Sequence, residues 1–487
     1  MTERDGEFMR PSDAFSWYQE ADPAMRATIV GVAWLEGRPD WEILRTRLEA
    51  ASRLVSRFRQ RVEEPPARLA PPRWVIDENF DLSWHLRRVD APAPRTPAEV
   101  LELARVEAMT GFDRARPLWV CTLVENLAHD RSALILKVHH SLTDGQGAIK
   151  LAPLLFDQTP SPVRRVLPPP PEPERGALML ASLAYDVRRF TGLAVSAVRS
   201  AIPAGLRVLG DPLGVLRGVA DTTRSIGQTV APVFETLSPV MRARGPGRVF
   251  ELVTVDLEDL KRAAAAADAS VNDAFLAGVT GGLRRYHQQY GSRPGHLRVT
   301  MPISIRTETD PMASNRITLM RFALPVAEPD PAVRMTLIGQ SARRARDQRS
   351  LGFTDAIAGG LNLLPTAVVG GMLKRVDFLA SDVIGLPRTA WIAGAEVAAY
   401  CAFGPTMGCS ANLTLLSYAG ACHIGVNLDS NAVPDAGDFA ECLREGFGEV
   451  VALAPSAARR GRVRLPIRDG IYPGSTRPRE RHQASRP

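Results

Sequence analysis

The sequence has 487 residues, 45% of them hydrophobic and 23% charged, which is typical of a soluble globular protein. The length exceeds what one hydrophobic core usually takes, so two domains are expected. The net charge of +7 comes from residues 456–487, where nine arginines outnumber Asp469 and Glu480. A basic tail of this kind indicates a solvated arm or contact with a membrane surface, and we do not predict a nucleic-acid partner.

The cysteines and the N-terminus favour a cytoplasmic location. The five cysteines are odd in number and form no CxxC pair, as expected for buried, reduced thiols. The first ten residues are charged and lack the apolar stretch of a secretory signal. The uncharged segment 356–373, the longest in its region, contains four glycines and a proline, so we do not predict that it spans a membrane.

The first part of the chain alternates strand and helix patterns and ends in a proline-rich segment, 161–175. Apolar residues from Leu180 to Val198 then recur on one helical face. The apolar residues that follow, up to Val240, suit either a lipid surface or docking between domains, and both remain open. The predicted elements before the prolines are strands 28–35, 119–125 and 133–138 and helices 41–56 and 98–109.

The second part repeats this alternation. Asp256 and Ser270 are predicted to cap two consecutive helices, the second of which runs from Val271 to Gln289. The other predicted elements are strands 248–255, 298–304 and 317–324, a glycine-rich strand region 401–427 and a closing helix 438–451.

Two adjacent histidines, His139 and His140, follow the apolar strand 133–138, where the chain breaks into a turn ending in Asp144 and Gly145. Adjacent strand residues point to opposite faces, so one imidazole should face a cleft while the other packs inward. A neutral imidazole with a reference pKa of ~6.5 can accept a proton near neutral pH. The pattern indicates a general base on a rigid loop.

Other functions of the histidine pair are less well supported. Diverging side chains with no third ligand at zinc-like spacing argue against a metal site. Ser141 follows the pair, but the G-x-S-x-G elbow of many serine hydrolases is absent from the sequence. Burial in the core suits His139, and general-base chemistry suits His140.

Residues 139–145 match HHxxxDG, the motif of the CoA-dependent acyltransferase superfamily, and the chain resembles the bacterial wax ester synthase/diacylglycerol acyltransferase family. Further matches fall in the family's order. They are Pro117-Leu118-Trp119, Asn272-Asp273, and the Pro-x-Ser-x-Arg segment that ends at Arg306. We expect core packing for Trp119 and helix capping for the Asn-Asp pair. The motif order suggests that Arg306 pairs with Asp144.

The resemblance implies an α/β fold of two chloramphenicol-acetyltransferase-like domains, with mixed sheets flanked by helices and a tunnel between them. It also implies that His140 activates an alcohol to attack a fatty acyl-CoA, while His139, Asp144 and Gly145 support the loop. The predicted regions are an N-terminal acyltransferase domain 1–160, a linker and helical crossover 161–245, a C-terminal acyltransferase domain 246–455 and a disordered tail 456–487.

The implied acceptor is diacylglycerol or a long-chain fatty alcohol, with acyl-CoA as co-substrate and neither a cofactor nor a metal. Such lipids place the protein at the inner membrane or a lipid droplet as a peripheral protein; the oligomeric state is not indicated. The segment Ser381–Pro387 departs from the family's Ser-Asn-Val-Pro-Gly-Pro, with Asp382 and Ile384 replacing Asn and Pro. This departure keeps open a different alcohol acceptor, such as that of a condensation-like or small-alcohol ester synthase, and a non-catalytic lipid-binding role.

Overall fold

The computed structural model describes residues 8–65, 70–143, 151–162, 167–171, 235–304, 317–346, 362 and 374–454. The helices within these ranges are α1 Pro11–Gln19, α2 Trp41–Leu54, α3 Leu82–His85, α4 Pro97–Met109, α5 Leu257–Ala266, α6 Val271–Gln289, α7 Pro331–Arg346 and α8 Ala436–Val451. The first eight strands are β1 Thr28–Glu36, β2 Gln60–Glu63, β3 Arg73–Ile76, β4 Leu86–Asp90, β5 Trp119–Leu127, β6 Arg131–His139, β7 Arg248–Asp256 and β8 His296–Ser304. The remaining strands are β9 Ile317–Pro325, β10 Phe378–Val383, β11 Trp391–Ile392, β12 Ala395–Phe403, β13 Ala411–Tyr418 and β14 Ala421–Asp429.

The first of two six-stranded sheets has the order β11-β12-β1-β6-β5-β4. Helices α1 and α2 pack on one face, and α4 packs on the other together with side chains of β7. Strands β5 and β6 form the predicted hairpin, and β4 lies parallel to β5 at the sheet edge. Helix α4 begins with a capping box between Thr96 and Glu99, which satisfies free N–H groups at its start.

The second sheet has the order β7-β14-β13-β10-β8-β9 and is covered by α5 to α8. Parallel pairing of β10 with β8 and β13 occurs beside antiparallel pairs, so this sheet is mixed. The predicted α/β class with mixed sheets and flanking helices is confirmed. The glycine-rich region 401–427 contains the end of β12 and most of a β13–β14 hairpin, whose turn has positive φ at Ala419 and Gly420.

Strands β11 and β12 lie in the first sheet although they come late in the chain. Strand β12 pairs antiparallel with β1, placing Val30 opposite Phe403. The Phe403 ring stacks on Phe250 of β7, with ring centres 4.1 Å apart. A strand from the predicted C-terminal region 246–455 thus belongs to the sheet of the N-terminal region 1–160. The predicted regions do not include this crossing, and the domain boundaries stay predictions.

Several predicted features lie wholly or largely outside the described residues. These are most of the proline-rich segment, the amphipathic helix from Leu180 to Val198, the apolar residues up to 234 and the whole basic tail. Among the helices of the described residues, none has both the length and the apolar run needed to cross a bilayer.

Glycines allow helices α6 and α8 to touch along their backbones. A Cβ atom placed on Gly446 of α8 would lie 2.3 Å from the Gly282 nitrogen and 2.4 Å from the Gly278 oxygen of α6. The distances are too short for any side chain, so glycine is a steric requirement at this crossing. Gly448, two residues later in the same helix, is exposed and would meet nothing within 4 Å.

We expect Gly446→Ala to lower the free energy of unfolding by about 1–3 kcal/mol, because the added methyl group forces the two helices apart. The matched variant Gly448→Ala should raise it by up to about 1 kcal/mol, because alanine favours a helix interior more than glycine does. Urea unfolding followed by circular dichroism measures both values. Equal effects of the two substitutions would contradict the close helix contact.

Candidate active site

The histidine pair lies at the C-terminal end of β6, where the residues just before β5 and β1 bind its backbone. Thr28 at the start of β1 is the cross-strand partner of His139. The His139 backbone N–H donates to the Leu118 carbonyl at 3.1 Å, and the His140 N–H donates to the Ala27 carbonyl at 2.8 Å. These bonds continue the sheet past the last strand residue, so the backbone of both histidines is fixed.

The His139 imidazole is fully buried and its tautomer follows from its hydrogen bonds. The Ser141 backbone N–H donates to Nδ1 at 3.1 Å, and the Ser141 hydroxyl lies 2.6 Å from the same nitrogen. Because a backbone N–H can only donate, Nδ1 carries no proton and Nε2 carries it. Nε2 faces the carboxylate of Glu20, with 3.5 Å between Nε2 and Oε2.

His140 is the more accessible member of the pair. Its side chain is partly exposed, whereas His139 is 0% exposed. The loop that follows, residues 144–150, is outside the described residues, and so are Asp144, Gly145 and Arg306. The predicted pairing of Arg306 with Asp144 therefore stays a prediction.

The Pro117-Leu118-Trp119 segment supports the same strand end by packing. All three residues are buried. The Trp119 indole N–H donates to the Phe58 carbonyl at 2.8 Å, which satisfies its one polar atom inside the core. Leu118 contributes the carbonyl that receives the His139 N–H, so the segment supports the histidine pair through its backbone.

His85 stacks on Trp119 with 4.6 Å between ring centres and on Phe80 with 5.0 Å. Its Nδ1 lies 2.7 Å from the Trp119 carbonyl, to which it donates. Burial between these rings lowers the pKa of His85 below its ordinary value, because the charged form loses its hydration. His85 is therefore a packed histidine.

Asn272 and Asp273 lie in the first turn of α6. The Asp273 backbone N–H donates to the Ser270 hydroxyl at 3.1 Å, and the Asp273 carboxylate accepts the Ser270 N–H at 3.0 Å. This reciprocal capping box stabilises the helix start. In the described part of the chain, Asp273 makes its hydrogen bonds with Ser270.

Family models match most of the chain. The model of the wax ester synthase/diacylglycerol acyltransferase catalytic domain matches residues 9–275, and the C-terminal domain model matches residues 313–450. The chain belongs to this family of acyltransferases. The match confirms the resemblance that rested on HHxxxDG and the accompanying motifs.

Related proteins agree with this assignment. A putative diacylglycerol O-acyltransferase of Mycobacterium tuberculosis is 36% identical over 456 residues, covering 92% of this chain and 93% of the relative. A second M. tuberculosis protein, a probable diacylglycerol O-acyltransferase, is 28% identical over 465 residues, covering 92% of this chain and 97% of its own length.

Two solved structures share the fold. The wax ester synthase/diacylglycerol acyltransferase from Marinobacter aquaeolei VT8 matches with a TM-score of 0.61 at 19% identity, over 92% of this chain and 99% of that one. The first condensation domain of the calcium-dependent antibiotic synthetase matches with a TM-score of 0.59 at 15% identity, over 92% and 96%. These identities support the fold alone.

The segment in which this acyltransferase departs from its family spans the end of β10 and the following turn. Gly385 approaches β13 closely, since a Cβ there would lie 2.1 Å from the Ser417 carbonyl oxygen. Ile384, which replaces the family proline, is 72% exposed. Asp382 replaces the family asparagine, and burial raises the pKa of its carboxyl to about 6, because the site disfavours a negative charge.

Sequence reasoning missed several residues around the pair. Glu20, Ala27 and Phe112 surround it, and the edge of the Phe112 ring faces His139 with 5.8 Å between ring centres. Glu20 and Ala27 precede the histidines by more than a hundred positions and belong to no spacing pattern. Their role depends on the pairing of β1 with β6.

We expect Asp382→Asn to stabilise the protein above pH 6. In the folded protein the pKa of Asp382 is about 6, above its ordinary value of 3.8. The protonated carboxyl therefore contributes fully to the stability of the wild type below pH 3.8, and this contribution is lost as pH rises through about 6. A shift of this size corresponds to roughly 3 kcal/mol of unfolding free energy. Urea unfolding of both proteins at several pH values measures the difference, which should shrink towards pH ~4.

The exposed Asp438 in the first turn of α8 supplies the control for this experiment. Asp438→Asn removes the same charge without removing a buried one, so its effect should vary little between the two ends of the pH range. A pH-independent effect of Asp382→Asn would contradict the burial argument.

Proposed function

We propose that this protein transfers a fatty acyl group from acyl-CoA to the hydroxyl of diacylglycerol, with long-chain fatty alcohol as a second acceptor. The observation that carries the proposal is the division of the histidine pair. His140 is partly exposed on a backbone held at 2.8 Å to Ala27, while His139 is buried beneath it. The names of the mycobacterial relatives support diacylglycerol as acceptor.

In the proposed reaction, the neutral His140 imidazole takes the proton of the acceptor hydroxyl as that oxygen attacks the thioester carbonyl. The tetrahedral intermediate then collapses, the C–S bond breaks, and the CoA thiolate takes the proton back from His140. The products are an ester and free CoA, with no acyl-enzyme and no cofactor in the balance. Base catalysis of this kind contributes about 10²–10⁴-fold, and holding both substrates in one tunnel contributes further.

The remaining motif residues have supporting roles in this proposal. His139, Asp144 and Gly145 hold the loop, Arg306 compensates the Asp144 charge, and the Asn272-Asp273 pair caps α6. Because both lipids are poorly soluble, the protein would work at the inner membrane or a lipid droplet surface as a peripheral protein. Arginines of the basic tail would add about 1 kcal/mol each where they approach anionic lipid.

A second candidate is acyl transfer to a different alcohol within the same superfamily. The observation that favours it is the altered segment Ser381–Pro387, where a half-buried carboxyl replaces the family's amide and an exposed isoleucine replaces its proline. A changed strand end would change which acceptor fits.

We expect His140→Ala to lower the rate of CoA release from palmitoyl-CoA by about 10²–10⁴-fold with dioleoylglycerol as acceptor, because the base is lost. A thiol reagent measures the released CoA. His296→Ala, at the exposed first position of β8, is the matched histidine control and should retain the wild-type rate. Full activity of His140→Ala would contradict the assignment of the base.

We also expect dioleoylglycerol to be used faster than hexadecanol, and both faster than a short alcohol. Rates for the wild type across this series, measured by the same CoA release, test the acceptor. A preference for the short alcohol would favour the second candidate. Absence of CoA release with every acceptor would instead support a non-catalytic lipid-binding protein.

A further inference from the structure

Glu20 is a buried carboxylate at the end of helix α1, and one of its oxygens reaches two groups of the histidine site. Its side chain is 7% exposed. Oε2 accepts the backbone N–H of Ala27 at 3.1 Å and lies 3.5 Å from His139 Nε2. Oε1 lies 3.8 Å from the Arg26 Nε atom, which compensates the buried charge.

Through Ala27, the carboxylate is linked to the proposed base. The N–H of Ala27 donates to Glu20, and the carbonyl of the same residue accepts the His140 N–H at 2.8 Å. A displacement of Glu20 therefore moves Ala27, and with Ala27 the backbone from which the His140 side chain projects. The catalytic geometry of a base tolerates little displacement, so this linkage affects the reaction.

Through His139, the same carboxylate is linked to the turn after β6. His139 Nε2 lies 3.5 Å from the Glu20 carboxylate without a hydrogen bond between them, and its bare Nδ1 accepts the Ser141 N–H. The order carboxylate, imidazole, serine resembles the relay of a serine hydrolase. Here the serine is 2% exposed and its own backbone N–H occupies Nδ1, so the arrangement is closed to substrate and holds the turn.

We propose that Glu20 is the positioning residue of the histidine pair: its carboxylate faces the His139 ring and, through Ala27, it sets the backbone of His140. The proposal rests on the proposed function of His140 for its kinetic consequence. Glu20 contacts neither reacting atoms nor, in this proposal, either substrate. Its loss should therefore lower kcat and leave both KM values unchanged.

The first experiment compares the kinetics of Glu20→Ala and Glu20→Gln with wild type. We expect kcat of Glu20→Ala to fall by about 10- to 100-fold, the usual effect of losing a group that orients a site residue, with KM for palmitoyl-CoA and dioleoylglycerol within about twofold. Glu20→Gln should lose less, because its amide oxygen can still accept from Ala27 while the charge is gone.

Asp157→Asn is the matched control. Asp157 is another buried carboxylate beside an arginine, 2.5 Å from Arg47, and its backbone pairs with Trp391, so among the described residues it contacts neither histidine. If Glu20 contributed only to stability, the control and the Glu20 variants would lose melting temperature and activity to the same extent. Turnover of both Glu20 variants at the rate of the control would overturn the proposal.

The second experiment measures the surroundings of the His139 imidazole and does not depend on enzyme activity. Protein with ¹⁵N-labelled imidazoles is compared by NMR, and His139→Asn assigns the His139 signals. We expect the Nε2–H tautomer in both proteins, because the Ser141 N–H still donates to Nδ1, but a changed Nε2 chemical shift in Glu20→Ala, or in Glu20→Gln if the alanine variant does not fold. An unchanged His139 signal would overturn the proposal even if wild-type turnover is absent, whereas absent turnover alone contradicts only the proposed function.

Discussion

The site depends on the position of β1 between two strands of different origin. One edge of β1 pairs with β6, which ends in the histidine pair, and the other pairs with β12, which arrives from the C-terminal part of the chain. Both sets of hydrogen bonds are made inside a sheet that is covered on its two faces, where a broken backbone bond costs the most. A shift of the backbone in either half of the chain therefore changes the position of the histidines.

The segment that leads into β1 carries this connection beyond the sheet. The Ala24 carbonyl accepts the Gly408 N–H at 3.0 Å and the Arg248 guanidinium at 3.1 Å, and the Asp22 carboxylate lies 2.5 Å from Lys374 Nζ. Arg248 itself is largely buried and lies 3.6 Å from Asp429. Residues 20–27 thus contact the histidine pair at one side and the C-terminal half at the other, which makes the proposed base a shared feature of both halves.

Burial gives two chemically identical side chains different surroundings. His139 accepts the Ser141 N–H at Nδ1, its Nε2 faces the Glu20 carboxylate, and its ring makes T-shaped contacts with Trp17 and Phe112. His140, one position later, leaves the strand and stays partly exposed. The same principle applies at Asp382, where a carboxyl in place of an amide meets a site that resists its charge.

The sequence alone determined the family, the order of most described strands and helices, and the candidate place for the chemistry. These features are local: alternation predicts β6, capping residues predict α6, and HHxxxDG lies at a strand end. Only the tertiary structure decided that β12 joins the first sheet and that Glu20 and Ala27 meet the histidines. Alternation shows that a segment is a strand but not which strand it pairs with, because the pairing energy comes from surfaces that are distant in the chain.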